Sequence, residues 1–231
     1  SASAARRVLV VMMGPFPLRT ADPAEARRLY ERDGCVVLMG LGTDASVTTA
    51  LARRVFGHLV REAPPAAEVR IGGDKDRKPA DIDQTTPIPP HTDGFSYGDC
   101  YPDVLVLLCA NASPVGGESF LVDGNTVIER LTANGEGEFV ERLRTVLIDQ
   151  TEPDMHRALS PVIGATAAGR PMLRLFSLQR PATDSMDFEA DAAMIAAWEA
   201  AIYEAATESP RFKLEPGEAL IADNDRMMHG R

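Results

Sequence analysis

The sequence has few cysteines, few histidines and no cluster of basic residues. Its three cysteines, Cys35, Cys100 and Cys109, are irregularly spaced among 231 residues. An odd, irregular set argues against a disulfide framework and predicts a reducing, cytoplasmic compartment. Lys and Arg number 24 against 34 Asp and Glu, which gives a formal net charge of -10. An acidic chain without a long basic run is a poor candidate for binding nucleic acid through its phosphates.

Long apolar runs and nucleotide-binding signatures are also missing. The N-terminal run VLVVMM is much shorter than the about 20 apolar residues that a membrane-spanning helix needs. It is not followed by a clear signal-peptide cleavage pattern, so no membrane partner is predicted. No Gly-x-Gly-x-x-Gly or phosphate-loop sequence opens a helix, which disfavours nucleotide-dependent chemistry. The 45% hydrophobic share fits one globular domain with a sizeable core.

The pattern of apolar and turn residues predicts a mixed α+β fold. DPAEARRLYERDG (22–34) reads as a helix with Asp22 as its N-cap and Gly34 after its end. Further helices are predicted in TDASVTTALARRVFGHLVRE, GNTVIERLTAN, GEFVERLRT and about 188–207. Strands are predicted in CVVLMGL, DVLVLLCANA, GGESFLVD, VLIDQT, RPMLRLFSL and GEALIADNDRMMHGR. This order indicates an antiparallel sandwich or barrel with flanking helices, rather than a regular βαβ alternation.

We predict one domain over 1–231 with three parts. A helical N-terminal part covers 1–62, and a mainly β core covers 91–231 with the helical insert at about 188–207. Between them, 63–90 is rich in proline, glycine and charge. A connection of this length inside a compact domain is often a functional loop, so we interpret 63–90 as a lid.

The stretch PPHTDG places His91 and Asp93 two positions apart. Side chains at i and i+2 of a strand point to the same face, so the two can direct a nitrogen and an oxygen at one point. Two histidines and one carboxylate with open positions form the ligand set of non-heme Fe(II) oxygenases. The alternative interpretation is a hairpin turn, because Asp-Gly is a common turn signal.

His229 is the candidate for the third ligand. It follows the apolar ALIAD and the turn NDRM, and the last strand of a β-barrel can lie beside an early strand. The remaining histidines fit less well. His58 lies within a helical pattern, and His156 lies in a loop near acidic residues.

Three motifs in order resemble the iron(II)/2-oxoglutarate-dependent dioxygenases, in the branch of taurine dioxygenase and the clavaminate synthase-like enzymes. They are HTD at 91–93, GGES at 116–119 and DNDRMMHGR at the end, and the similarity is close over 89–125 and good over 215–231. The resemblance implies a double-stranded β-helix, a jelly roll of the cupin type, with iron at its open mouth. It implies hydroxylation or desaturation of an unactivated C–H bond, with O2, coupled to decarboxylation of 2-oxoglutarate to succinate and CO2.

The resemblance also assigns residues. His91, Asp93 and His229 correspond to the metal ligands, and Ser119 corresponds to a hydroxyl that binds a carboxylate of 2-oxoglutarate. The alternative for Ser119 is a turn hydroxyl after Gly-Gly. The family usually supplies an arginine, whose planar fork suits carboxylates, about ten residues or more beyond the last histidine. Here Arg231 follows it by two residues, so Arg231 is the candidate, with a longer natural chain or another arginine as alternatives.

Four residues are candidates for contacting the substrate. Phe95, Tyr97 and Asp99 follow the ligand pair, and Arg174 lies in MLRLF, a strand in which relatives often carry an arginine. The alternatives are a packed ring for Tyr97, a turn role for Asp99 and a surface ion pair for Arg174. An arginine and an acid at one mouth would suit a zwitterion. The predicted substrate is therefore a free or carrier-bound amino acid, or a similar small polar metabolite.

Two other functions are compatible with such a fold. One is a non-catalytic jelly-roll domain that senses or stores a metal or ligand. The other is a cupin isomerase, which usually needs a fuller set of histidine ligands than this sequence offers. Formation of succinate on addition of Fe(II), 2-oxoglutarate and O2 distinguishes the oxygenase from the sensor domain.

Overall fold

A computed structural model describes residues 16–44, 46–57, 86–94, 101–152, 156–166 and 169–231. The helices in these ranges are α1 Pro23–Asp33, α2 Ser46–Phe56, α3 Gly124–Ala133, α4 Gly137–Thr145 and α5 Phe188–Glu208. The strands are β1 Arg19–Thr20, β2 Cys35–Leu38, β3 Val104–Leu108, β4 Phe120–Asp123, β5 Leu147–Asp149, β6 Leu159–Pro161, β7 Ile163–Ala165, β8 Pro171–Leu173, β9 Arg180–Pro181, β10 Ala219–Asp223 and β11 Met227–Gly230.

The strands of the described ranges form four sheets and no closed barrel. The largest sheet has the order β1-β2-β10-β3, and smaller sheets join β11 to β4, β6 to β5 and β9, and β7 to β8. All pairs are antiparallel except β1 with β2. The predicted mixture of helices with antiparallel strands is confirmed. The ladders are shorter than a jelly roll leads one to expect, because most strands have only two to four residues.

Helix α1 has both of the predicted caps. The Asp22 carboxylate accepts a hydrogen bond from the Ala24 N–H at 3.0 Å, which satisfies one of the unpaired donors of the first turn. Gly34 ends the helix with φ 76°, a left-handed conformation that glycine adopts without steric cost. The Gly34 carbonyl then accepts the Asp223 N–H at 2.8 Å. The end of α1 is therefore attached to the end of β10.

The four-stranded sheet is covered on both faces. One face packs against α1 and α2, and its alternate strand residues include Val36, Leu38, Ala219 and Ile221. The other face packs against the β4–β11 ladder, and the contacting residues include Val37, Leu220, Ala222, Leu121 and Met227. The period of two that separates these sets is the alternation expected of strands.

The β4–β11 ladder is also buried on its second face. Phe120, Val122 and Met228 belong to the largest core cluster, together with side chains of α3, α4 and α5 that include Leu131, Leu143, Trp198 and Ile202. The successive layers are thus α1 and α2, the four-stranded sheet, the β4–β11 ladder, and α3 to α5. None of the described helices is long and apolar enough to cross a membrane.

The C-terminal segment forms two successive strands that belong to different sheets, where the sequence predicted a strand followed only by its exit turn. β10 is joined through 224–226 to β11. The sequence did not reveal β11, because both Met227 and Met228 are buried and MMHG therefore shows no apolar–polar alternation. This second strand is the element that carries His229.

Gly230 occupies a position without room for a side chain, which generates a prediction about stability. A Cβ atom there would contact the Phe120 ring and lie 2.7 Å from the Ile88 carbonyl oxygen. We expect Gly230→Ala to lower the free energy of unfolding by about 1–3 kcal/mol, the usual cost of overpacking, in urea denaturation of the metal-free protein.

Gly137→Ala is the matched control for this substitution. An added Cβ at Gly137, the first residue of α4, meets nothing within 4 Å. We expect this variant to be as stable as the wild type, or more stable by about 0.4–1 kcal/mol. Equal stability of the two variants would contradict the crowding at Gly230.

Candidate metal centre

Backbone hydrogen bonds bring His91 and His229 together from opposite ends of the core. The His91 N–H donates to the His229 carbonyl at 3.0 Å, and the His229 N–H donates to the His91 carbonyl at 2.9 Å. The two residues thus form an antiparallel bridge. Residues that exchange both hydrogen bonds in this way direct their side chains to the same face. Their imidazole rings have centroids 4.3 Å apart.

A one-residue irregularity follows this bridge. Ile88 and Arg231 also exchange both backbone hydrogen bonds, at 2.8 and 2.9 Å. Two residues, Pro89 and Pro90, therefore oppose the single residue Gly230 between the two bridges, which is the count of a β-bulge. Proline has no N–H to leave unpaired, so PP is a suitable sequence for the longer side of this bulge.

The side chain of Asp93 lies between the two imidazoles. Its Oδ1 is 3.3 Å from His91 Nε2, and its Oδ2 is 3.4 Å from His229 Nε2. The three residues each offer one ligand atom within 4.8 Å of the others. Within the described ranges, they form the one group of three His, Cys, Asp or Glu side chains with this proximity.

Thr92, between the two ligand candidates, faces the opposite way. Its side chain is 1% exposed, and its hydroxyl accepts the Leu175 N–H at 3.1 Å while its own N–H donates to the Leu175 carbonyl at 3.0 Å. These bonds determine which side chains of residues 91–93 point to each face of the segment. His91 and Asp93 therefore share the other face, as the His-x-Asp spacing predicted.

The side chain of Asn224 holds the backbone of Asp93. The Asn224 Oδ1 accepts the Asp93 N–H at 2.9 Å, and its Nδ2 donates to the Asp93 carbonyl at 3.0 Å and to the Pro102 carbonyl at 2.8 Å. Sequence reasoning used Asp-Asn only as part of a motif and missed this contact. Nothing in the local pattern reveals which backbone, 131 residues away, an asparagine will bind.

The electrostatics of the three side chains call for a cation between them. His91 Nδ1 lies 3.0 Å from the Pro89 carbonyl, which can only accept, so Nδ1 carries a proton. Unless the ring is doubly protonated, the Nε2 lone pair faces a carboxylate oxygen, and this contact is repulsive without a proton or metal ion in between. Burial alone would lower the pKa of His91, but Asp93 outweighs burial and raises it.

The same balance holds for the carboxylate. Burial would raise the pKa of Asp93, but the adjacent imidazoles of His229 and His91 hold it well below its usual range. Asp93 is therefore an anion, as a metal ligand must be. The Nδ1 atom of His229 is buried and has no hydrogen-bond partner in the described part of the chain, and its Nε2 faces the shared point. Two imidazole nitrogens and one carboxylate oxygen are the donor set that suits Fe(II).

Ser119 and Arg231 flank the end of the β4–β11 ladder. β4 and β11 pair Leu121 with His229, and continuing the register places Ser119 opposite Arg231. Because side chains alternate along a strand, both belong to the face that carries His229. The Arg231 guanidinium donates from Nη2 to the Thr86 carbonyl at 3.2 Å.

Arg174 belongs to a polar group near the centre. Its Nη1 donates to Gln150 Oε1 at 3.5 Å, and its guanidinium lies 5.8 Å from the centroid of the Tyr101 ring. Glu152, two residues after Gln150, has its pKa raised by burial and by the charge of Asp93. A cation and an acid thus lie on segments that adjoin the three ligand candidates.

The backbone of Arg174 is held by a hydrogen bond from helix α5. The indole N–H of the fully buried Trp198 donates to its carbonyl at 3.0 Å, and the next residue, Leu175, is the one bound by Thr92. The strand end with Arg174 is therefore attached directly to the segment with His91 and Asp93.

Several predicted residues lie outside the described ranges. They are His58, Phe95, Tyr97 and Asp99, together with residues 63–85 of the predicted lid. His156 is described, and it is exposed.

Comparisons with known proteins agree with this geometry. An asparagine oxygenase in complex with Fe(II), 2S,3S-3-hydroxyasparagine and succinate shares 20% identity, with a TM-score of 0.63 over 90% of this chain and 71% of that chain. PvcB, described as an Fe, alpha-ketoglutarate dependent oxygenase from an isonitrile synthetic pathway, shares 17% identity, with a TM-score of 0.63 over 94% and 77% of the two chains.

A taurine dioxygenase from Burkholderia xenovorans shares 18% identity, with a TM-score of 0.61 over 91% of this chain and 75% of that chain. At such identities these structures establish a common fold. The family is established by a sequence-family model, which matches residues 10–231. The resemblance predicted from the sequence is thereby confirmed, and the chain belongs to the taurine catabolism dioxygenase TauD, TfdA family.

Proposed function

We propose that this protein is an Fe(II)- and 2-oxoglutarate-dependent oxygenase that hydroxylates or desaturates a C–H bond of an amino acid or a similar small polar metabolite. In hydroxylation, 2-oxoglutarate, O2 and R–H give succinate, CO2 and R–OH, so one oxygen atom enters succinate and the other enters the product. The observation that carries the proposal is the convergence of His91, Asp93 and His229 on one point. Family membership favours this enzyme over a non-catalytic metal-binding domain.

The three side chains would hold Fe(II), and a ligand set of this kind leaves coordination positions open for 2-oxoglutarate and O2. The bound metal supplies the activation of O2. The chain supplies the position and charge of the ligands. The Pro89 carbonyl orients the His91 ring through Nδ1, Thr92 holds the backbone between the two ligand candidates, and Asp93 stays ionised.

Ser119 and Arg231 are proposed to bind the carboxylates of 2-oxoglutarate. The support is the strand register, which places both on the face of His229. A serine hydroxyl can donate one hydrogen bond, and a guanidinium can bind a carboxylate with two parallel ones. The bond from Arg231 to the Thr86 carbonyl directs this guanidinium toward the segment that precedes His91.

An amino-acid substrate is supported by the charges around the centre. Arg174 would bind the α-carboxylate, and Glu152, whose charge interacts with that of Asp93, would bind the α-ammonium group. Phe95, Tyr97 and Asp99 complete the proposed substrate set, on the strength of their place in the sequence. The asparagine-derived ligand of the related oxygenase supports an amino acid, free or carrier-bound.

The domain organisation is part of the same proposal. We assign 1–231 to a single oxygenase domain with a cupin-like double-stranded β-helix at its centre and 63–90 as a lid over the mouth. The layering of the β4–β11 ladder on the four-stranded sheet and the fold shared with the solved oxygenases support this assignment. A cytoplasmic location remains a prediction from the cysteine content.

The metal ligands can be tested by substitution. We expect purified wild-type protein to form succinate only when Fe(II), 2-oxoglutarate and O2 are all present. His91→Ala and Asp93→Ala should reduce succinate to background, because each leaves a ligand position empty. His156→Ala, at an exposed histidine, should retain the rate within about twofold, the usual range for surface changes. Full turnover by Asp93→Ala would contradict the assignment.

The role of Ser119 can be tested through the co-substrate. Ser119→Ala should raise the KM for 2-oxoglutarate about tenfold, since a hydrogen bond to a charged group contributes about 1.5–3 kcal/mol. The KM for the substrate should stay unchanged. Ser113→Ala is the control, because the Ser113 hydroxyl donates to the Val115 carbonyl within a turn. An unchanged KM for 2-oxoglutarate would leave Ser119 with a turn role only.

The role of Arg174 can be tested with pairs of substrates. Amino acids are first screened for substrate-stimulated 2-oxoglutarate decarboxylation, and product masses are read for a gain of one oxygen or a loss of two hydrogens. On the best substrate, Arg174→Gln should lower kcat/KM by about 10- to 100-fold. The loss should nearly vanish on the corresponding amino-acid amide, which has no carboxylate to bind.

Arg144→Gln is the control for Arg174→Gln, because Arg144 lies on α4 and pairs with Glu141 at 3.5 Å. It should leave both substrates unaffected. An equal loss on the acid and on the amide would show that Arg174 acts on the fold rather than on the substrate carboxylate.

A further inference from the structure

The end of β10 and the turn after it contain three buried polar side chains that have no role in the proposed reaction. Asp223, Asn224 and Asp225 are 7%, 1% and 2% exposed. Burial of polar groups is costly unless each is hydrogen-bonded, and three in succession require a reason. The partners of the middle residue supply one.

Asn224 joins three chain segments through one amide. Its Oδ1 and Nδ2 bind the N–H and the carbonyl of Asp93, and Nδ2 also donates to the Pro102 carbonyl. Its backbone N–H donates to the Asp103 carbonyl at 2.9 Å. Both the oxygen and the nitrogen of the side-chain amide are thus hydrogen-bonded. Both of them bind Asp93, the carboxylate ligand candidate.

The two aspartates immobilise the turn that carries Asn224. The Asp223 carboxylate accepts the Asp225 N–H at 3.0 Å and the Arg170 guanidinium at 3.1 Å. The Asp225 carboxylate accepts the Tyr101 hydroxyl at 3.1 Å, and its carbonyl accepts the Leu173 N–H at 2.7 Å. The residues before and after Asn224 are therefore both held by hydrogen bonds, which restricts the position of its side-chain amide.

An asparagine suits this position better than the similar aspartate. The contact with Asp93 needs one acceptor and one donor, and a carboxylate has no donor. Burial and the neighbouring Asp223 already raise the pKa of Asp225 to about 6, so a third carboxylate would add repulsion. The neutral amide avoids both problems.

We infer that Asn224 is a positioning residue, which presents the Asp93 carboxylate to the metal by holding the Asp93 backbone against the β10–β11 turn. The inference rests on the proposed function, because it takes Asp93 as a ligand. Asn224 itself does not lie among the metal ligands. It connects the carboxylate ligand to the turn that leads into β11, the strand of His229, so the spacing between ligands depends on this amide.

Metal affinity of the full chain tests the inference. Mn(II) is titrated into metal-free protein without 2-oxoglutarate or substrate, and free Mn(II) is measured by electron paramagnetic resonance. We expect Asn224→Ala to weaken Mn(II) binding by about 10- to 100-fold, the range seen when outer partners of ligands are removed. An affinity within about twofold of the wild type would overturn the inference, since that difference lies within the range of surface changes.

Asp191→Asn separates positioning from general stability. Asp191 is a buried residue of α5 that accepts from Arg142 at 2.8 Å and from Ser185 at 2.6 Å. This variant should have a lower Tm and an unchanged Mn(II) affinity. If it weakens Mn(II) binding as much as Asn224→Ala does, stability explains the effect and the inference fails.

A measurement on the wild-type protein keeps the test independent of whether Asn224→Ala folds. In the metal-free protein, the Asp93 amide proton should exchange about as slowly as the backbone-paired amides of His91 and His229. Exchange at the rate of an unprotected amide would show that the Asn224 contact does not persist, and would overturn the inference.

His91→Ala distinguishes failure of the inference from failure of the proposed function. If the wild type and His91→Ala bind Mn(II) equally, these side chains are not the metal site, and the proposed function fails. If His91→Ala abolishes binding while Asn224→Ala has no effect, the metal site stands and only the positioning role is lost.

Discussion

The structure depends on two reciprocal backbone hydrogen bonds between His91 and His229. They join a segment that directly follows the predicted lid to the last strand of the chain. Because paired residues place their side chains on one face, this bridge determines that the two imidazoles meet. Gly230 and the two prolines allow the pairing to continue past the bridge without a clash or an unpaired donor. The site is therefore a consequence of strand pairing between remote segments.

Local sequence signals identified the elements well and their partners poorly. The caps of α1, the glycine boundaries and the apolar strands follow from short-range rules, and Asp22 and Gly34 act as those rules predict. β11 was missed because it is covered on both faces and has no polarity alternation. The His-x-Asp spacing predicted a shared face for His91 and Asp93, and Thr92 shows why it is shared. What could not be predicted is the contact of Asn224, because its partners are selected by tertiary packing.

Charge is arranged around the centre in a consistent way. Asp93 stays ionised through its contacts with two imidazoles. Asp223 and Asp225, on either side of Asn224, both accept hydrogen bonds from Arg170. The acids that support the β10–β11 turn are thus paired with their own cation and hydroxyl partners. The carboxylate between the imidazoles contacts the two rings. A divalent ion at that point would complete the local balance of charge.

Trp198 is the single tryptophan of the chain, and its buried indole N–H is bound to the carbonyl of Arg174. Indole emission is sensitive to the field and hydrogen bonding at the ring nitrogen. The protein therefore contains an intrinsic fluorophore that is hydrogen-bonded to Arg174, next to the residue that binds the segment of His91 and Asp93. Its emission reports on that hydrogen bond without a label, and no second indole obscures the signal.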